Sequence, residues 1–177
     1  MAQTLLFGKE TTVMRFHEHI IRAAQAGDPE AISREALLQG ITEFARHPEH
    51  FVDGLEASQM LSGEEVDEST GAISFWRQTV FGSHRFRERV TILPGQGCRT
   101  ECPAANGRAA SAFVMTVEEP NKGDLFVRFC YEEEPRKSAE AEPEMLAELR
   151  KRAYEMKDRA VIETILSRFA EASGHRC

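Results

Sequence analysis

No apolar run in this chain approaches the roughly 18 residues that a membrane-spanning helix needs, so a transmembrane protein is not expected. The N-terminal stretch MAQTLLFGKETT has no basic leader, long apolar segment or small-residue cleavage site, and no export signal is read there. Cysteine is scarce: Cys98, Cys102, Cys130 and Cys177 are the only four, with no CxxC pair and no histidine cluster beside them. That excludes a disulfide framework and a zinc finger, and fits reduced thiols in the cytoplasm. His17, His19, His47 and His50 lack HExxH or Cys/His ligand spacing, so no metal is expected. No GxSxG, P-loop or dinucleotide-binding fingerprint occurs, and GQG at 95–97 is only a turn; no cofactor is expected. Basic residues are outnumbered, with a formal charge of −7, which removes the electrostatic footprint of a nucleic-acid binder.

What is present fits one domain. The 177 residues suffice for one full core, read as a tail over 1–12 and a single domain over 13–173. Val13 to Ala23 is rich in β-branched and aromatic residues and reads as a first strand. Gly27-Asp28-Pro29 breaks it, and Ser33 then caps a helix with Leu37, Leu38, Ile41, Phe44 and Ala45 on its apolar side. Pro48 ends that helix, and 48–52 is compatible with a short helical turn. From Leu55 to Glu133 short strands alternate with turns at 62–71, 82–83, 94–97, 106–107 and 120–123, the spacing of an antiparallel meander. A polar linker follows over 136–143. Glu144 to Ala172 then reads as one long amphipathic helix whose stripe includes Leu146, Leu149, Ala153, Met156, Ile162, Ile165 and Phe169. The class is α+β: a curved antiparallel sheet of about seven strands wrapped around a long C-terminal helix.

The segment WRQTVFGSHRFRERV, residues 76–90, tests this layout. Gly82-Ser83 suits a two-residue type II′ hairpin loop, which fixes the register. Phe81 then opposes His84, Thr79 opposes Phe86, Arg77 opposes Glu88 and Phe75 opposes Val90. The other face carries Trp76 and the alternating Arg85, Arg87 and Arg89, which cannot all enter a core and so face water, with Trp76 packed on the Arg89 stem. The apolar face therefore contains an opposed Arg77–Glu88 pair. The same parity turns Cys98, Thr100 and Cys102 inward and lets Glu101 oppose Arg89 from outside. Asn106-Gly107 sends Ser111, Phe113, Met115 and Val117 inward, and the last strand sends Leu125, Val127, Phe129 and Tyr131 inward.

The segments ALLQGITEFARHPEHFVDGLEASQML, ISFWRQTVF, RFRERVTILP and LFVRFCYEEE resemble the small AtaL-like group within the START-like, helix-grip (SRPBCC) superfamily, over residues 13–170. The resemblance implies an apolar cavity between sheet and helix that takes lipids, sterols, hormones or polyketides, and in some members a cyclisation or dehydration. It supplies no catalytic residue to transfer.

Three readings of Arg77–Glu88 stay open: a structural ion pair, a polar anchor for a ligand, or an acid–base group at Glu88. The candidate ligand-binding residues are Phe75, Arg77, Phe86, Glu88, Phe113, Met115, Phe129 and Tyr131, with Glu88 and Tyr131 as the catalytic candidates. A small hydrophobic or aromatic ligand is the expected partner. The alternatives are an aromatase/cyclase- or dehydratase-type enzyme using the same cavity, and an interaction protein with a filled core. A homodimer is compatible with the sequence.

Overall fold

The computed structural model describes residues 4–7, 9–135 and 142–174, with side chains from residue 13 onward. Within the expected tail, β1 (Thr4–Phe7) and β2 (Lys9–Thr12) form a separate antiparallel pair. The main sheet holds eight strands: β3 (Met14–Ala24), β4 (Ala57–Met60), β5 (Glu65–Val66), β6 (Ile73–Phe81), β7 (His84–Leu93), β8 (Gly97–Cys102), β9 (Ser111–Asn121) and β10 (Asp124–Glu133). Their order is β3-β10-β9-β8-β7-β6-β4, with β5 also on β6, and every pairing is antiparallel. The two-residue β5 falls inside the segment expected to be a turn at 62–71. The polar linker lies outside the described residues except for Glu142 and Pro143.

Two tight turns set the register. Gly82 alone of its pair has positive φ, at 53°, as a type II′ turn requires, and Arg77 pairs with Glu88 and Phe75 with Val90. Asn106 and Gly107 both have positive φ, at 51° and 78°, giving a type I′ turn that sets Cys98 opposite Met115 and Thr100 opposite Phe113.

Helix α1 (Arg34–Arg46) starts where Ser33 Oγ accepts from the Ala36 N–H at 3.2 Å, and buries Leu37, Ile41, Phe44 and Ala45. A 3₁₀ turn follows at Pro48–His50. Gly40 lets α1 lie close on the C-terminal helix α2 (Glu144–Gly174): a Cβ there would meet Ile165 Cγ2 at 2.5 Å. The core gathers Phe75, Val90, Met115, Val127 and Phe129 from the sheet with Leu37, Ile41, Val161, Ile162 and Ile165 from the helices. No helix among the described residues is long and apolar enough to cross a membrane.

Two expectations need correction. The inner face of α2 carries Arg150, Tyr154, Asp158, Val161 and Ile165, whereas Leu146, Leu149 and Met156 from the expected stripe are exposed. Tracing apolar residues found the inner face in the second half, where Ile162, Ile165 and Phe169 pack inward, and missed it in the first half, which turns polar groups inward. Arg150 shows why: it ion-pairs with Glu133 and Glu142, and its guanidinium lies 3.7 Å over the Phe16 ring. On the outer sheet face, the Arg87 guanidinium lies 4.6 Å over the Trp76 ring, while Arg89 is the residue directly opposed to Trp76. Sheet twist brings diagonal neighbours together, and Arg87 lies on that diagonal. Glu101 opposes Arg89 along the backbone, but its carboxylate accepts from Arg99 at 2.8 Å, and Arg99 also reaches Glu132 at 2.8 Å. This ladder covers Glu101, which is only 8% exposed.

Candidate functional site

Two adjoining cavities open at one end of β7, β8, β9 and β10. The larger, about 500 Å³, is walled by Phe81, His84, Phe86 and Arg108. The smaller, about 160 Å³, runs beneath Phe113, Tyr131 and Tyr154. Glu88, Cys102 and Ser111 line both and mark the junction. Alternation along β7 and β9 puts these side chains on the concave face.

Glu88 is held by Arg77, whose Nε donates to Oε2 at 2.7 Å. The Arg77 Nη1 donates to the Ala45 carbonyl at 2.5 Å, in the last turn of α1, where backbone carbonyls lack intrahelical partners. Arg77 is 5% exposed and sits behind Glu88, tying β6, β7 and α1 together. Of the eight expected ligand residues, Phe86, Glu88, Phe113 and Tyr131 line the cavities. Phe75, Met115 and Phe129 are buried in the core beneath them.

Tyr131 does not leave its hydroxyl free. It donates to Asp158 Oδ2 at 2.6 Å, and its ring stacks on Tyr154 with centroids 4.1 Å apart. Burial, then the neighbouring Asp158 charge, holds the Tyr131 phenol far above its ordinary value. Burial raises Tyr154 as well. Asp158 itself is fully buried, with Lys157 Nζ 3.1 Å from Oδ1 and His19 Nε2 3.2 Å from Oδ2. Burial pushes the Cys98 thiol up to about 12, and burial followed by the Glu88 charge raises Cys102. Both stay protonated near neutrality and are poor nucleophiles.

The raised Tyr131 value has a measurable consequence. A proton held in the folded state above the unfolded phenol value of about 10 gives stability that is complete below that pH. Above it, the unfolded chain loses the proton while the folded one keeps it, and stability falls. Wild type is expected to lose stability relative to Tyr131→Phe by about 1.4 kcal/mol per pH unit above pH ~10. Urea midpoints of both proteins at pH 9 and 11 measure this, and parallel losses would show that Tyr131 titrates normally.

Asp158, Lys157, Arg108 and Ser111 were not among the expected site residues. Asp158 had a legible signal: stepping back from Ile165 and Val161 by seven and three residues reaches it on the same helical face. Arg108 follows the Asn106-Gly107 turn and reads as surface. In the structure its guanidinium lies 4.1 Å over the Phe86 ring and one arm donates to the Arg85 carbonyl.

An eight-stranded curved antiparallel sheet gripping a long C-terminal helix, with a cavity at its mouth, defines a helix-grip protein. More narrowly, the chain belongs to the AtaL family, described as acetylaranotin biosynthesis cluster protein L, whose model matches residues 21–172. Solved structures share the fold at low identity. The di-domain ARO/CYC StfQ from the steffimycin biosynthetic pathway superposes with a TM-score of 0.61 at 13% identity, over 92% of this chain and 52% of StfQ. The present chain thus spans about half the length of StfQ. The Zhui aromatase/cyclase from Streptomyces sp. R1128 gives 0.53 at 8% identity, over 89% of this chain and 93% of that one. Ara h 8.0201 gives 0.52 at 8% identity, over 88% and 99% respectively. No curated protein matches the sequence.

Proposed function

We propose that the protein binds a small hydrophobic or aromatic molecule of the polyketide type in the mouth cavity. Phe86 and Phe113 form the apolar wall, Glu88 and the Tyr131 ring meet the ligand, and Arg77 positions Glu88 from behind. Phe75, Met115 and Phe129 form the floor. One observation carries this reading: about 500 Å³ of space walled by aromatic rings, with an ion-paired carboxylate at its inner end. That volume falls within the range of roughly 300–1,000 Å³ typical of small-molecule sites. The fold is shared with two proteins named as aromatase/cyclases, one placed in a biosynthetic pathway, and the family's own description refers to a biosynthesis cluster. Binding is preferred to catalysis because both proton-transfer candidates are engaged by protein partners, Glu88 by Arg77 and Tyr131 by Asp158. Three unpaired cysteines, Cys98, Cys102 and Cys130, suit the cytoplasm.

The test is titration with the fluorescent probe 1-anilinonaphthalene-8-sulfonate. Wild type is expected to give one saturable site. Ser111→Trp, which fills the junction of the two cavities, is expected to weaken it at least about tenfold, or 1.4 kcal/mol. Unchanged near-ultraviolet circular dichroism would show that the variant is folded. Equal probe binding by the folded variant would overturn the cavity as the site.

A further inference from the structure

We infer that His17, His19 and Glu155 form a binding site for a first-row divalent cation of the zinc type. His17 and His19 are two apart on β3 and therefore share its inner face. Their rings stack with centroids 5.1 Å apart, and Glu155 comes down from α2 to meet them. One nitrogen from each imidazole and one Glu155 oxygen all lie within 4.8 Å of one another. His17 Nε2 is 3.1 Å from Glu155 Oε1, close to the separation of two ligands on one ion with bonds of about 2.0–2.2 Å.

A second, independent observation points to a ligand. His19 Nδ1 is buried with no partner at all, while His17 Nε2 and His19 Nε2 face only the Glu155 and Asp158 carboxylate oxygens, at 3.1 and 3.2 Å. Buried polar atoms are ordinarily satisfied, and the unpartnered His19 Nδ1 is an exception. The carboxylates of Glu155 and Asp158 add negative charge here, against which Lys157 is the nearest cation on Asp158. A dication would satisfy the nitrogens and balance that charge together. Two imidazoles and a carboxylate are borderline donors of the kind zinc takes, and three protein ligands leave a position for water or another oxygen. The site is separate from the proposed ligand cavity, although Tyr131 lines the cavity and bonds Asp158 beside His19.

Untagged, EDTA-treated full-length protein titrated calorimetrically with Zn²⁺ tests the proposal, with Co²⁺ absorption as a report on the ligands. One tight equivalent is expected, with a raised Tm. His17→Ala/His19→Ala is expected to weaken it at least about 100-fold, and Glu155→Gln by about 10–100-fold. Glu155 is 47% exposed, so its substitution tests the site even where the double histidine variant does not fold. His47→Ala/His50→Ala, at a stacked histidine pair elsewhere, is expected to leave the tight equivalent in place. Loss of binding in that control, wild-type affinity in Glu155→Gln, or no tight equivalent in wild type would each overturn the site.

Discussion

Glu88→Ala is expected to lower the free energy of unfolding by about 3–5 kcal/mol, the cost of stranding a buried partner charge. The reason lies in where each member of the pair sits. The Arg77 side chain is 6% exposed, and without Glu88 its remaining hydrogen-bond partner among the described residues is the Ala45 carbonyl. The Glu88 side chain is 17% exposed and lines both cavities, where water can reach it. Removing the arginine should therefore cost less than removing the carboxylate. Arg77→Met is expected to fall below Glu88→Ala, and the double variant Arg77→Met/Glu88→Leu to recover much of the loss. Urea midpoints with unchanged m-values measure all three. A loss below about 1 kcal/mol in Glu88→Ala would mean that Arg77 finds solvent without its partner.

That pair was legible in the sequence because a two-residue turn leaves little freedom. Once Gly82-Ser83 is a type II′ loop, every opposed residue on β6 and β7 follows, and the arginine run decides which face is wet. Asn106-Gly107 carried the same logic to β9, while across the longer turns at 94–97 and 120–123 the inward faces of β8 and β10 followed from keeping that parity. It weakened where contacts depend on side-chain direction: Glu101 opposes Arg89 along the backbone, yet its carboxylate accepts from Arg99. It failed on the first half of α2, because a search for apolar periodicity cannot find a helix face that meets a polar interior. The histidines show a related limit. His17 and His19 lack local metal-ligand spacing, and their third neighbour, Glu155, lies more than a hundred residues away in sequence. A cluster assembled by tertiary contact between β3 and α2 leaves no local pattern to read.

Asp158→Ala is expected to be the other large loss, about 3–5 kcal/mol, for the same physical reason acting on more partners. The carboxylate is 0% exposed and gathers the Tyr131 hydroxyl, Lys157 and His19. Lys157 can turn outward to water, but Tyr131 and His19 cannot, and each would leave a buried polar atom unsatisfied. The conservative variant separates charge from hydrogen bonding. Asp158→Asn keeps an oxygen for the Tyr131 hydroxyl, so it should cost clearly less than alanine. Tyr131→Phe should cost only about 1–2 kcal/mol, since Asp158 retains Lys157 and His19. Measured in EDTA, so that no cation contributes, the order Asp158→Ala, then Asp158→Asn, then Tyr131→Phe is expected. A double-mutant cycle between Tyr131→Phe and Asp158→Asn should show coupling above about 0.5 kcal/mol. Additive losses would mean that the 2.6 Å contact contributes little, and that Asp158 is held in the interior chiefly by its cationic neighbours.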